Sequence, residues 1–149
     1  MLLEYIYNKF TYVVACDAEF TGDMLDSGEL NDVVCFVYKD IKSGKKIITH
    51  GKDLKKLPFP KNETLFIAHN AGAEVHSWLS LKIGPPKYIW DTMIEDKKLN
   101  FGKVRGHGLL KLANRYEIPG VISEELKQYY IDLILSRKYT DDDFEKILN

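Results

Sequence analysis

The chain predicts an α/β fold, a mixed five-stranded sheet flanked by helices, and three observations carry that prediction. Short apolar runs rich in β-branched and aromatic residues recur between residues 12 and 90 at strand-like lengths. The second and third of them are close enough for a hairpin, whereas the later ones alternate with a helical pattern. Beyond Asp91 the periodicity is helical only, so helices must cover what the sheet leaves open.

The first strand is Tyr12-Val13-Val14-Ala15-Cys16, followed by two carboxylates and a Thr21-Gly22 turn. Residues 23–31 are polar and read as a loop. Val33 to Tyr38 and Lys46 to His50 form the hairpin, joined by a turn at Lys42-Ser43-Gly44-Lys45. Lys52 to Lys56 can make one helical turn, which Pro58 and Pro60 stop. Thr64 to His69 is a further buried strand, and Asn70-Ala71-Gly72 turns the chain into a helix from Ala73 to Leu81. Gly84-Pro85-Pro86 breaks that helix before a last strand, Tyr88-Ile89-Trp90. Asp91 and Thr92 are then expected to cap a helix over Met93 to Leu99. After a Gly-containing loop, Leu109, Leu110, Leu112, Ala113 and Tyr116 mark one helix face, with further helices over 123–136 and from Thr140 onward. The first strand is expected at the centre of the sheet, with the hairpin on one side and the parallel strands on the other.

At 149 residues the chain is expected to be one domain. Its net charge of -1 and pI near 6.4 give no global basic footprint of the kind that marks many nucleic-acid binders. Its two cysteines, Cys16 and Cys35, lie in apolar runs and read as reduced core residues. No apolar run approaches a membrane span of ~18 residues, which predicts a cytoplasmic, unanchored protein.

Chemistry concentrates where the first strand ends. Residues two apart share a strand face, so Asp17 and Glu19 stand side by side. Two such anions repel unless a cation lies between them, and Mg²⁺ is commonly held by one or two carboxylates with substrate phosphates completing its shell. Ligands of such sheets gather at the carboxyl ends of central strands. Acid-x-acid spacing also occurs at Asp141/Asp143 and Asp143/Glu145, but there it belongs to a helix start. A second carboxylate follows a buried strand in Ala68-His69-Asn70-Ala71-Gly72-Ala73-Glu74, where Asn70 doubles as a candidate helix cap. His69 and His76 have no third partner at a zinc-like spacing. Lys97, Lys98, Lys103, Arg105, Lys111 and Arg115 form a basic cluster that is either a solvated face or a strand contact.

Taken together, Asp17-Ala18-Glu19 and Asn70-x-x-x-Glu74 resemble the first two motifs of the DEDD superfamily of 3′-5′ exonucleases, whose fold is ribonuclease H-like. Asp91-Thr92-Met93 through Leu99-Asn100, then His107 to Tyr116 with Leu112-Ala113-Asn114-Arg115, is similar to the proofreading domain of family A DNA polymerases. The resemblance covers roughly residues 11–149. The second motif usually ends in Asp after an aromatic residue; here it is Ala73-Glu74. The third, Tyr-x-x-x-Asp, has a literal match at Tyr139 to Asp143, at a helix start rather than inside a helix. The fourth acid is therefore expected either at Asp143 or past Asn149, in a domain that stops just before its third motif.

What the resemblance implies is a metal-dependent nuclease acting on the 3′ end of single-stranded DNA, with RNA possible. Asp17, Glu19 and Glu74, with one more acid, hold two Mg²⁺ or Mn²⁺ ions about 4 Å apart. Phe20, His69 and Asn70 are the implied substrate contacts. A polymerase module, phage-like or bacterial, is the implied companion in DNA replication, in the same or an associated chain. The alternative is a catalytically impaired exonuclease-like module that binds nucleic acid or protein.

Overall fold

A computed structural model describes residues 2–21, 32–101 and 103–136, together with 140, 143 and 146. The expected loop at 23–31 and the Thr21-Gly22 turn's glycine lie outside these residues, as does Tyr139. The contact pattern divides the chain into two compact units, residues 1–91 and 92–149.

The first unit is built on a five-stranded mixed sheet in the order β3-β2-β1-β4-β5. Its strands are β1 (Tyr12–Thr21), β2 (Asp32–Asp40), β3 (Lys46–His50), β4 (Thr64–Ala68) and β5 (Tyr88–Asp91). The hairpin pairs antiparallel with β1, and β4 and β5 continue the sheet in parallel on the other side. The central place of β1 agrees with its apolar run. It is longer than its composition suggests, however. Pairing with β2 persists from Val14↔Asp40 to Thr21↔Asp32, so Asp17 and Glu19 lie within the strand and not beyond its end. The register shifts between Glu19 and Phe20, a β-bulge that re-aims the chain beside the carboxylates.

Alternation along β1 sends Val14, Cys16 and Ala18 to one face and Val13 to the other. On the first face lies α2 (Gly72–Ser80), whose Trp78 is fully buried. Its ring stacks on Phe36 at 5.6 Å and 4°, meets Phe66 edge-on at 5.7 Å, and its Nε1–H donates to the Tyr38 hydroxyl at 3.2 Å. Aromatic pairs of this kind contribute about 0.5–1.5 kcal/mol each beyond the area they bury. The opposite face is covered by α1 (Leu2–Lys9), which the sequence reading did not anticipate; Ile6 and Phe10 pack on Val13 and Leu65. The Lys42 ammonium donates to the carbonyls of Tyr7 and Phe10 at 3.0 Å each, placing a cation where that helix leaves its last carbonyls unpaired. Buried Asp40 organises the β2–β3 turn, accepting from the Val13, Lys42 and Ser43 amides and from the Ser43 hydroxyl. Both cysteines are free and buried.

The second unit contains α3 (Thr92–Asn100), α4 (Leu109–Arg115) and α5 (Glu124–Ser136). Its organising group is Asp96, a carboxylate only 2% exposed. Arg115 Nη1 donates to both of its oxygens at 2.8 and 2.7 Å, His107 Nδ1 lies at 2.5 Å, and the Tyr116 hydroxyl and Asn100 amide donate at 2.9 and 2.8 Å. Arg115 also donates to the Gly106 carbonyl at 2.9 Å, tying the loop between the helices to the same hub. This gives His107, Arg115 and Tyr116 a shared structural role. It also removes Arg115 from the basic cluster available to a strand, and Lys98 is paired with Glu95 at 2.8 Å. At the far end, Thr140 and Asp143 close a reciprocal cap: the Thr140 amide and hydroxyl donate to Asp143 Oδ2, and the Asp143 amide donates back to Thr140 Oγ1. Among the described residues no helix is long and apolar enough to cross a membrane.

Candidate active site

Parallel pairing of β1 with β4 ends at Ala15↔Ile67, while β1 itself continues to Thr21. On the β4 side of its last residues, then, the backbone of β1 has no strand to pair with. The first turn of α2 fills this position. The Glu74 carboxylate accepts from the Ala18 backbone amide and from its own, so it reaches the strand between Asp17 and Glu19. The predicted trio is brought to one end of the sheet by this arrangement: Asp17 exposed and Glu19 half-buried on β1, Glu74 buried at the start of α2.

Glu74 is the chemically unusual member. It is 2% exposed, and its Oε2 is buried without a hydrogen-bond partner. Burial pushes its pKa from 4.5 to about 8, and the negative charges of Asp17 and Asp91 add to the rise, against the two backbone amides that favour the anion. The same field acts on neighbouring thiols. Cys16 is raised well above its ordinary value by burial, then by Glu74 and Asp17. Cys35, opposite Glu19 in the sheet, is raised to about 12 by burial, then by Glu19 and Asp17. Negative charge therefore accumulates here in a partly dry setting.

An all-carboxylate donor set suits a hard divalent cation, and the orphaned Oε2 of Glu74 is the kind of atom such an ion would satisfy. Among the described residues no three carboxylate, histidine or cysteine side chains are gathered closely enough to hold an ion by themselves. That is compatible with Mg²⁺, which keeps several waters and takes ligands from substrate phosphates.

The remaining candidates are placed as follows. Phe20 is half-buried and packs against the core of the first unit. His69 is half-buried and Asn70 is exposed in the turn after β4. Asn70 is not the helix cap expected of it. Ala71 holds that place without a side-chain bond, and Asn70 adopts a left-handed backbone with φ of 64°. Asp91, expected to cap α3, ends β5 opposite Ala68 and turns back toward this same turn, with Oδ1 accepting from the Asn70 amide at 3.2 Å and Oδ2 from the Ala71 amide at 2.9 Å. Asp143 belongs to the second unit, bound up with Thr140.

The same architecture recurs in solved structures. Escherichia coli RNase D, an exoribonuclease involved in structured RNA processing, superposes with a TM-score of 0.62 at 15% identity over 99% of this chain. The chain has a ribonuclease H-like fold. The catalytic core of Rrp6 from Trypanosoma brucei shares this ribonuclease H-like fold at a TM-score of 0.59 and 12% identity over 95% of the chain. Brucella melitensis NrnC with bound Mg²⁺ shares it at 0.51 and 16% over 94%. The chain spans 37% of the length of each of the first two structures and 74% of the third. No protein-family model and no curated protein matches the chain.

Proposed function

We propose that this chain is a 3′-5′ exonuclease domain that hydrolyses the terminal phosphodiester of a single strand. The observation that carries the reading is a buried Glu74 whose Oε2 lacks a partner and whose carboxylate meets β1 at Ala18, between Asp17 and Glu19. Mg²⁺ or Mn²⁺ held by Asp17, Glu19 and Glu74 would supply a hydroxide nucleophile and neutralise charge at the phosphate and the leaving 3′ oxygen. The protein's own contribution is positional. β1 and the first turn of α2 fix the three carboxylates from different elements. Phe20 follows them across the bulge, and we propose it as the contact for a terminal base. His69 and Asn70, in the turn at the head of α2, lie on the approach to Glu74 and are the further substrate contacts we propose.

RNA is the first substrate to test, since RNase D is described as an exoribonuclease; a DNA 3′ end and a proofreading role beside a polymerase follow from the motif resemblance. A second reading, an impaired module that binds nucleic acid without cutting it, is favoured by the engagement of Asp143 in a helix cap.

The test is release of label from 3′-labelled single-stranded RNA and DNA with Mn²⁺, comparing the wild type with the Asp17→Ala, Glu19→Ala double variant. The exonuclease reading expects stepwise shortening by the wild type and at least a hundredfold loss in the variant. Equal release by both proteins rules the carboxylates out as the source of activity. Binding without cleavage by the wild type establishes the second reading.

A further inference from the structure

We infer that Asp91 is a positioning residue: its carboxylate clamps the turn that aims Glu74. α2 must start abruptly, because β4 ends at Ala68 and Glu74 has to reach the Ala18 amide within the helix's first turn. The turn between them bends through a left-handed residue, Asn70, and the helix begins at an alanine with no side chain able to accept from the exposed amides. The amides of Asn70 and Ala71 come just ahead of the first-turn amides that a Ser, Thr, Asn or Asp cap satisfies, so they need an acceptor of their own. Here the acceptor comes from a neighbouring strand. Parallel pairing sets Asp91 opposite Ala68, and its two oxygens take the Asn70 and Ala71 amides separately at 3.2 and 2.9 Å. A two-point bond of this kind fixes both the position and the tilt of the turn, and it places negative charge at the positive end of α2. The turn closes on itself as well, the Ala73 amide donating to the Asn70 carbonyl at 3.0 Å, so Asn70 to Glu74 moves as one piece held by Asp91.

The consequence for metal affinity rests on the exonuclease reading; the clamp itself does not. Loss of a group that orients a metal-ligating side chain typically costs 10–100-fold in affinity. The experiment has two arms on the intact chain with Asp91→Ala and Asp91→Asn, the second keeping shape and one acceptor oxygen. In the first arm, amide hydrogen exchange without metal is expected to accelerate at residues 70–75 by about tenfold or more in Asp91→Ala and by less in Asp91→Asn, with β1 and β2 unchanged. Unchanged exchange at 70–75 in both variants overturns the clamp. In the second arm, Mn²⁺ titration followed by electron paramagnetic resonance is expected to show about 10–100-fold weaker binding with the same number of ions, partly restored in Asp91→Asn. A lower number of ions, with unchanged affinity for those that remain, makes Asp91 a ligand and overturns its assignment as a positioning residue. A wild type that binds no Mn²⁺ counts against the exonuclease reading, while the exchange arm still decides the clamp.

Discussion

Glu74 and Asp96 are carboxylates of equal burial, each 2% exposed, and their surroundings push them in opposite directions. Burial raises both. At Asp96 it is outweighed by hydrogen bonds from Arg115, His107 and Tyr116 and by the Arg115 charge, which hold the group down to about 2. At Glu74 burial comes first, Asp17 and Asp91 add their repulsion, and the group rises to about 8. Asp40 sides with Asp96: burial is again opposed by Ser43 and by the Val13, Lys42 and Ser43 amides, and its pKa falls. A buried carboxylate whose oxygens are satisfied is part of the architecture. One left with an orphaned oxygen beside other carboxylates is costly to keep, and a site for a cation gives it a use.

The largest effect expected from this contrast is at Asp96. Replacing it by Ala leaves the half-buried Arg115 guanidinium with the Gly106 carbonyl, and takes the carboxylate away from His107, Tyr116 and Asn100 together. Breaking a buried pair by removing one partner is strongly destabilising. Amide exchange over residues 92–116 should approach unprotected rates while the sheet of the first unit stays protected. Persistent protection of α3 and α4 in Asp96→Ala would show that the hub is dispensable.

The opposite change is expected at Glu74, on a smaller scale. A carboxyl whose pKa is higher folded than unfolded binds more protons in the native state, so stability falls as pH rises from about 4.5 to 8 and levels off above. Glu74→Gln abolishes that dependence. Without metal the variant should match the wild type near pH 4 and be the more stable protein at pH 8, by a difference on the order of a few kcal/mol. Asp96 acts in the other direction: its depressed pKa contributes stability above 3.8 that is lost as pH falls toward 2. Urea melts of wild type and Glu74→Gln at several pH values measure the difference; parallel curves across pH 4–8 would mean that Glu74 is ionised in the native protein.

The five strands and their order were legible because each is a β-branched or aromatic run bounded by turn residues, and the hairpin is local. Helix α1 was missed although Leu2, Leu3, Ile6, Tyr7 and Phe10 repeat at helical spacing; that signal could have found it. Asp17, Glu19 and Glu74 stood out as candidates because each follows an apolar run. Asp96 did not, because it sits in a charged helix and its partners at positions 100, 107, 115 and 116 converge only when α3 and α4 fold together. For the same reason the sequence places Arg115 in a basic cluster, a solvated face or a strand contact. Asp91 was legible as a cap, but not as a cap for α2, since nothing local sets β5 beside the end of β4.

Burial holds Glu74 protonated until a cation takes its carboxylate, and proton release on metal binding tests this most directly. Mn²⁺ titrations of the wild type at pH 7 by calorimetry, in buffers of different ionisation enthalpy, should show close to one proton released as Glu74 ionises to take the ion, and none in Glu74→Gln. Tight Mn²⁺ binding with no proton released, or equal release by both proteins, would contradict the claim.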